Sequence, residues 1–421
     1  MRRALNILLG CLAFVLAAGL AAFFLKPGLD GIGTRLDVNG DDYLTADELP
    51  PIVRRQREAI DSSGDGRIGP VELRVYMLNQ IIRGRTTHEA PAWSGEYTFD
   101  NLRRYFAKAV GAGELWGGVI MLGRGGETFF TMSVGNLKST TQVPLASATK
   151  WVSAAVMGAL HDDGVIDLDR PIGEWADGIP ASHAAMTIPQ MMGHVSGMDT
   201  PFGIVSAPTL DDAAARILEV PLKAAPGEQF RYGSASMMLA AWIAEQQAER
   251  PWRELANDYL FGPLEMVDTT YASPLRPLPY GEDMAPEVAS GLHATAEDYM
   301  KFLALIAQGG GQGDLKLLRV STIRKMEQAQ SVGAERASVP PAVTHDFEYA
   351  MGVWCERWEA SGECTLIHSQ GAFGTRPFLD RGTGIYGIIL MVESGDEQRL
   401  IIQRLREVAL EVAKHELGFN N

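Results

Sequence analysis

The chain has 421 residues, of which 46% are hydrophobic and 21% charged, and its net charge is −15. This composition is typical of a globular protein, so wholesale disorder is excluded. An acidic chain without a dense block of lysine and arginine is also a poor candidate for nucleic-acid binding. Motifs of the GxxxxGK and HExxH types do not occur, which removes the main sequence support for a P-loop or a zincin-type metal site.

A long uncharged segment, residues 4–25, follows two basic residues, Arg2 and Arg3. As a helix it would span about 33 Å, enough for a hydrocarbon core of about 30 Å. The basic flank favours a cytoplasmic N-terminus, with the rest of the chain outside. We expect an uncleaved signal anchor over residues 1–26. A cleaved signal peptide and a lipoprotein site at Cys11 remain alternatives. All three place the rest of the chain outside the cytoplasm, in the periplasm of a Gram-negative cell, and the first predicts a single-pass protein of the cell membrane.

Residues 27–85 contain two twelve-residue segments that match the EF-hand calcium loop. Asp42 replaces the usual glycine at position 6 of the first loop, and aspartate tolerates positive φ better than most residues. Leu44, at position 8, is apolar, as the pairing of two loops requires. We predict a small helical EF-hand pair that binds Ca²⁺ in a structural role, whereas the alternative is a pair of Asp-rich turns. The expected ligands are Asp37, Asn39, Asp41, Tyr43, Thr45 and Glu48 in the first loop, and Asp61, Ser63, Asp65, Arg67 and Glu72 in the second.

A serine and a lysine, Ser147 and Lys150, lie at the start of a segment whose apolar spacing over 151–160 predicts a helix. Residues three apart share one helix face, so the ammonium group can lie beside the hydroxyl. Backbone N–H groups at a helix start also favour developing negative charge. This arrangement activates a serine nucleophile without a histidine, although a helix-capping serine would produce the same pattern.

The sequence around this pair resembles the serine β-lactamase and penicillin-binding-protein family, closest to class C and the related esterases. The resemblance covers about residues 86–421. It rests on Ser147-Ala148-Thr149-Lys150 and on ordered blocks at Gly164–Pro171, Thr187–Met198, Pro226–Ser234, Pro263–Thr269 and Ser290–Asp298.

This resemblance implies that Ser147 accepts the acyl group and that Lys150 assists its deprotonation. Tyr232 is the implied proton shuttle, and Ser234 orients the substrate or Lys150. A tyrosine ordinarily ionises near pH 10, so it acts as a base only if a neighbouring positive charge favours the phenolate. His194 and His293 match structural blocks of the family, and we expect hydrogen-bonded scaffold residues there.

The third motif of the family normally contains Lys-Thr-Gly or His-x-Gly, and here the segment is His368-Ser369-Gln370-Gly371-Ala372. Two registers fit, one with His368 and one with Ser369 in the first place. Neither contains the lysine that helps to bind the carboxylate of β-lactams, so the resemblance does not imply strong β-lactamase activity. His368 is expected in the site, and an N–H of Gly371 or Ala372 is expected to complete the oxyanion hole with Ser147.

The other two cysteines, Cys355 and Cys364, flank a predicted hairpin, where they form either a cross-strand disulfide or two buried thiols. A rival interpretation takes Ser369 as the nucleophile of an α/β-hydrolase, which requires a helix after it. The residues that follow predict a strand hairpin instead.

The expected fold is an α/β, β-lactamase-like sandwich preceded by the EF-hand pair and one transmembrane helix. An antiparallel sheet from 116–135 and 349–393 is flanked by helices that include 400–416, and an all-helical subdomain covers about 160–330. The expected domain at 86–421 is a serine hydrolase acting on small carboxylic esters or D-alanyl peptides, with no cofactor in catalysis. A penicillin-binding or sensor module of the same fold, with weak or no turnover, is the alternative.

Overall fold

The computed structural model divides the chain into two compact units, Met1–Thr86 with Leu275–Pro277 and the remainder of the chain. The structure describes residues 39–45, 48–49, 57–73, 91–112, 117–176, 178–201, 207–272, 285–340, 347–392 and 395–419. The apolar segment 4–25 lies outside these residues. Within them, no helix is both long and apolar enough to cross a membrane.

The helices of the described chain are α1 (Arg57–Ile60), α2 (Phe99–Ala112), α3 (Thr149–Asp162), α4 (Ile188–Met192), α5 (Leu210–Leu218), α6 (Ala235–Ala248), α7 (Trp252–Ala256), α8 (Ala296–Ala307), α9 (Val320–Met326) and α10 (Gly395–Glu416). The strands are β1 (Gly117–Arg124), β2 (Glu127–Gly135), β3 (Val143–Pro144), β4 (Gln229–Arg231), β5 (Thr270–Tyr271), β6 (Leu292–Ala294), β7 (Gly311–Gln312), β8 (Leu315–Lys316), β9 (Glu335–Ser338), β10 (Glu348–Tyr349), β11 (Trp354–Trp358), β12 (Cys364–His368), β13 (Arg376–Asp380) and β14 (Ile385–Met391).

In the first unit, the two predicted calcium loops are joined by an antiparallel bridge between Leu44 and Ile68. The backbone N–H of each residue donates to the carbonyl oxygen of the other at 2.9 Å. Both side chains are buried, in a small apolar cluster with Leu49, Ile60 and Leu73. These two residues occupy position 8 of their loops, so the loops pair at the predicted position.

The second unit is built on a seven-stranded antiparallel sheet with the order β10-β11-β12-β13-β14-β1-β2. Its strands come from the two predicted regions, so the expected antiparallel sheet is confirmed. Strand β14 is buried along its whole length, which is why it consists almost entirely of apolar residues. Helices α2 and α10 cover one face of the sheet, and their apolar residues pack with those of β1, β13 and β14 in one core. Helix α8 packs against β1 and β14.

The region at 160–330 was expected to be all-helical, and this expectation was wrong. Short strands interrupt the helices in this region, and two of them, β5 and β6, form a separate three-stranded sheet with β3, which precedes the region. Two- and three-residue strands have too little periodicity to be recognised in a sequence. They matter because β3 leads directly into the segment that contains Ser147.

The predicted hairpin of β11 and β12 is present, and a disulfide joins Cys355 to Cys364 across it. After β12 the chain turns and enters β13, not a helix. The α/β-hydrolase interpretation, which required a helix after Ser369, is therefore excluded.

Candidate active site

Ser147 lies in a single 3₁₀ turn, Ala146–Ala148, between β3 and α3. This turn is attached to β6, because the backbone N–H of Leu145 donates to the carbonyl oxygen of Leu292 at 2.8 Å. Thr149 strengthens the attachment: its hydroxyl donates to the Ala146 carbonyl at 2.6 Å and accepts from the Leu292 N–H at 3.0 Å. Ala146 has a φ of 47°, an uncommon conformation for a residue with a β carbon. Ser147 is therefore presented at a helix start by a turn that tertiary contacts hold in place.

Lys150 lies in the first turn of α3, and its side chain is almost fully buried. Its Nζ atom is 3.2 Å from Ser147 Oγ. A second hydrogen bond, of 2.8 Å, joins Nζ to the carbonyl oxygen of Ala289, a residue that the sequence did not single out. The ammonium group therefore lies beside the serine hydroxyl, as the helical spacing predicts, and a remote loop holds it there.

Tyr232 follows β4, and its partly buried ring contacts Lys150 and the ring of Trp354. Lys150 Nζ is 4.7 Å from the ring centroid, a distance at which a cation interacts with an aromatic face. On Trp354 the Tyr232 ring is stacked, with centroids 5.7 Å apart. The structure thus brings Tyr232, from a distant part of the chain, to the helix start that carries Ser147 and Lys150.

Ser234 is two residues beyond Tyr232, at the start of α6. Its backbone N–H donates to Thr200 Oγ1 at 2.9 Å. Thr200 was not identified from the sequence, although it follows closely on the predicted block that ends at Met198. We conclude that Thr200 fixes the turn between Tyr232 and α6.

Two registers were open for the third motif, and side-chain direction distinguishes them. Ser369 is buried, and its hydroxyl donates a bifurcated hydrogen bond to the carbonyl oxygens of Ser147 at 3.2 Å and Gly352 at 3.1 Å. His368 points elsewhere, because successive side chains of a strand alternate between faces. The first place of the motif therefore belongs to Ser369.

The backbone after Ser369 passes very close to the segment that contains Ser147. A β carbon at Gly371 would lie 2.2 Å from the Leu145 carbonyl oxygen, so only glycine fits there. The Gly371 N–H donates to the Thr375 carbonyl at 2.7 Å, which removes it from the expected oxyanion hole. Ala372 is exposed in the turn and donates none of the backbone hydrogen bonds found among the described residues. Of the two expected N–H groups, only that of Ala372 donates no backbone hydrogen bond among the described residues.

His368 was expected in the site, but its ring lies in a buried charged cluster. The Nδ1 atom is 2.8 Å from Glu356 Oε1, and Glu356 Oε2 accepts from Arg406 of α10 at 2.7 Å. Burial lowers the pKa of His368 to about 4, against the opposing effect of Glu356. Burial alone would raise the pKa of Glu356, but His368, Arg406 and Arg376 lower it to about 2. None of the contacts described for His368 reaches Ser147, Lys150 or Tyr232.

The two histidines expected to be hydrogen-bonded scaffold residues differ from each other. His293 Nδ1 is 3.3 Å from the Gly291 carbonyl oxygen, and burial lowers the pKa of this histidine to about 4. Neither ring nitrogen of His194 has a hydrogen-bond partner among the described residues, so that expectation was wrong for His194. Its ring packs against Tyr232, with centroids 4.5 Å apart. Burial and the nearby Lys150 charge hold its pKa well below the ordinary value, so this ring is neutral.

Most of the predicted calcium ligands lie in the described residues, but Asp37 does not. Within the second loop, carboxylates accept hydrogen bonds from backbone N–H groups. Glu72 Oε1 accepts from the Ser63 N–H at 2.9 Å, and Asp61 Oδ2 accepts from the Gly66 N–H at 2.9 Å. In the described part of the chain, no group of three or more histidine, cysteine, aspartate or glutamate side chains is arranged to hold a metal ion. Asp42 has a φ of 64°, so aspartate does adopt the conformation for which glycine is usual.

Comparison with known proteins gives a consistent result. The family profile described as Beta-lactamase matches residues 102–410. A solved structure of a candidate beta-lactamase from Bacteroides dorei is similar, with a TM-score of 0.67 and 26% identity, over 75% of this chain and 99% of that one. A penicillin-binding-protein homologue from Caulobacter crescentus shares the fold, with a TM-score of 0.61 and 18% identity, over 76% of this chain and 99% of that one.

A curated relative, the D-alanyl-D-alanine-carboxypeptidase/endopeptidase AmpH of Escherichia coli, is 26% identical over 183 residues. The match covers 38% of this chain and 48% of the relative. The chain thus spans about half the length of this relative.

Proposed function

Because the chain belongs to the Beta-lactamase family, we propose that it is a serine hydrolase that forms an acyl-enzyme on Ser147. The observation that carries the proposal is the 3.2 Å contact between Lys150 Nζ and Ser147 Oγ, with the lysine buried and held by Ala289. A buried ammonium group stabilises an alkoxide far more than an exposed one, because water does not screen it.

The proposed reaction gives these groups the roles that the family resemblance implies. Tyr232, acting as its phenolate, takes the hydroxyl proton of Ser147 while the serine oxygen attacks the substrate carbonyl. The resulting oxyanion accepts hydrogen bonds from the N–H groups of Ser147 and Ala372. The proton then passes to the leaving group as the bond to it breaks, and water hydrolyses the ester on Ser147 by the reverse proton path.

The proposed substrates are small carboxylic esters or D-alanyl peptides. The name of the Escherichia coli relative supports the peptides, whereas the third motif favours esters. In the first place of that motif, Ser369 provides no positive charge, and its hydroxyl is already bonded to two backbone carbonyls. A substrate carboxylate would therefore find no cation at this position.

The nucleophile is tested with a fluorophosphonate probe and intact-protein mass spectrometry of the full chain and of Ser147→Ala. One adduct on the wild type and none on the variant is the expected result. No adduct on either folded protein would contradict the hydrolase proposal and favour the alternative, a binding or sensor module. A panel of p-nitrophenyl esters, nitrocefin and a D-Ala-D-Ala peptide then identifies the substrate class. We expect ester turnover to exceed nitrocefin turnover, and a fast nitrocefin rate would refute the argument from Ser369.

The EF-hand pair is proposed to bind Ca²⁺ as a stabilising ion. The bridge between Leu44 and Ile68 supports this, because it pairs the two loops at position 8 of each. The residues fit a hard cation, since the donors are carboxylates, hydroxyls and carbonyls. We expect calcium to raise the melting temperature of the full chain and to bind by calorimetry, and Glu48→Gln with Glu72→Gln to abolish both effects. Calcium binding that survives both substitutions would contradict the assignment.

The chain is further proposed to be held in the cell membrane by residues 1–26, with the catalytic unit outside the cytoplasm. The uncharged segment 4–25 and its basic flank support this orientation. The disulfide between Cys355 and Cys364 is in keeping with an oxidising compartment. Membrane fractionation followed by protease treatment of intact cells tests it. An intact protein recovered only in the soluble cytoplasmic fraction would refute it.

A further inference from the structure

Helix α3 carries a second buried polar side chain on the face of Lys150, and this side chain takes no part in the proposed reaction. Ser153 lies three residues after Lys150 and is fully buried. Residues three apart share one face of a helix, so both side chains can reach the same neighbouring segment. Lys150 Nζ donates to the carbonyl oxygen of Ala289 at 2.8 Å. Ser153 Oγ donates to the carbonyl oxygen of the preceding residue, Val288, at 2.6 Å. Two neighbouring side chains of α3 therefore hold two consecutive carbonyl groups.

The hydroxyl of Ser153 has a further partner, Tyr271 of β5. The two hydroxyl oxygens are 2.7 Å apart, and both side chains are buried. A hydroxyl has a single proton, and that of Ser153 goes to the Val288 carbonyl. Tyr271 is therefore the donor in this pair. Burial raises the pKa of Tyr271 well above its ordinary value, so the phenol keeps the proton that it donates. A chain of hydrogen bonds thus runs from Tyr271 through Ser153 to the Val288 carbonyl.

The turn that presents these carbonyls, residues 287–291, is also held by its own backbone. The N–H groups of Ser290 and Gly291 both donate to the Glu287 carbonyl oxygen, at 3.1 Å and 2.6 Å. The Gly291 carbonyl accepts from the N–H of Ala272, the residue after β5, at 2.8 Å. A β carbon at Gly291 would lie 2.1 Å from the Ala272 carbonyl oxygen, so the turn lies directly against the end of this strand. The side chains of α3 then fix the direction of the carbonyl groups within it.

We propose that Ser153 is a positioning residue for Lys150. Through its hydrogen bond to Val288 it fixes the turn whose next carbonyl holds the lysine, and Tyr271 orients the Ser153 hydroxyl. The inference rests on the proposed function of Ser147 and identifies the groups that keep the lysine nitrogen 3.2 Å from the nucleophile. A lysine ammonium is carried on a flexible four-carbon chain, so its position depends on a fixed acceptor. Displacement of a reacting group by about 1 Å lowers a rate about a hundredfold.

The test measures labelling of the full-length protein by a fluorophosphonate, for the wild type and for Ser153→Ala. The dependence of the rate on probe concentration gives the maximum labelling rate, kinact, and the half-saturating concentration, KI. We expect kinact to fall about ten- to hundredfold and KI to change less than about twofold, because the variant displaces the lysine and leaves the residues that bind the probe. Tyr271→Phe keeps both the ring and the Ser153 hydroxyl, so its loss of kinact should be measurable but smaller.

Two controls separate this role from a general loss of stability. Thr322→Val removes a buried hydroxyl that donates to Asp162, at the opposite end of α3, and should leave kinact unchanged. In a Lys150→Met background, Ser153→Ala should have no further effect, because the group that it positions is gone. Thermal unfolding of each variant shows whether the fold is kept. If Ser153→Ala does not fold, the same comparisons are made with Tyr271→Phe.

The outcomes distinguish this inference from the proposed function. A wild type that is not labelled contradicts the serine hydrolase itself. An unchanged kinact in a folded Ser153→Ala variant, or in Tyr271→Phe where only that variant folds, contradicts the role of Ser153 alone. An equal loss of kinact in the Lys150→Met background, or a higher KI with an unchanged kinact, also contradicts it, because neither effect acts through the lysine.

Discussion

Replacement of Glu356 by glutamine removes a carboxylate from the buried cluster that it forms with His368 and Arg406. The glutamine side chain has nearly the same shape as the glutamate side chain. The carboxylate pairs with His368 and Arg406, and Arg376 adds a third nearby positive group. The Arg406 side chain is 3% exposed, so the variant leaves a buried guanidinium without its partner. A loss of this kind lowers the free energy of unfolding by about 3–5 kcal/mol. The corresponding decrease in the melting temperature is on the order of 10 °C.

The pH dependence gives a sharper test. The pKa of Glu356 is about 2 in the folded protein and 4.5 ordinarily, so its contribution is fully present above pH 4.5 and is lost as the pH falls through 2. The pKa of His368 is about 4 in the folded protein and 6.5 ordinarily, so the wild type also loses stability between these two values. The difference in the free energy of unfolding between the wild type and Glu356→Gln should therefore be largest near neutral pH and should become smaller below pH 4.5.

The assay is calorimetric or spectroscopic unfolding at several pH values between 7 and 3. Glu411→Gln is the control, because Glu411 is on α10, the helix that carries Arg406, and its half-exposed carboxylate pairs with Lys414. Glu411→Gln should lower the free energy of unfolding by less than about 1 kcal/mol. Arg406→Met in the Glu356→Gln background should restore part of the loss, since the unpaired charge is removed. A deficit below about 1 kcal/mol, or one that does not change with pH, would refute the account of the cluster.

Three further predictions concern the site and its support. Lys150→Met should slow fluorophosphonate labelling by about 10²- to 10⁴-fold with little change in melting temperature, and labelling at the wild-type rate would exclude the lysine from the reaction. Serine at both Cys355 and Cys364 should lower the free energy of unfolding by about 2–3 kcal/mol, whereas a wild type whose melting is insensitive to reductant would contradict the disulfide. Gly371→Ala places a β carbon against the Leu145 carbonyl oxygen, so it should reduce labelling at least tenfold, and an unaffected rate would show that the turn need not approach the nucleophile.

Local patterns in the sequence predicted those parts of the molecule that depend on neighbouring residues. Ser147 and Lys150 are one helical turn apart, so their contact follows from the geometry of a helix alone. The strands of the large sheet were visible as apolar runs bounded by turns, and helix α10 as a periodic segment. Leu44 was expected to pair two loops, because its position in a twelve-residue pattern determines its direction.

Contacts between distant segments were decided only in the tertiary structure. The carbonyl that holds Lys150 belongs to Ala289, and nothing in a linear pattern marks a backbone oxygen as a ligand. The two registers of the third motif differ by one residue, and both fit the linear pattern; the pairing of β12 and β13 and the alternation of side chains direct Ser369 to the nucleophile and His368 to Glu356.

The bulge that leaves Glu356 out of the β11–β12 ladder was equally invisible in the sequence, as was the hydrogen bond from Ser153 to Val288. The sequence by itself therefore determined the contact between Ser147 and Lys150, because both residues lie at one helix start. The tertiary structure decided how the nucleophile is supported, because the supporting groups come from strands and loops that only the folded chain brings together.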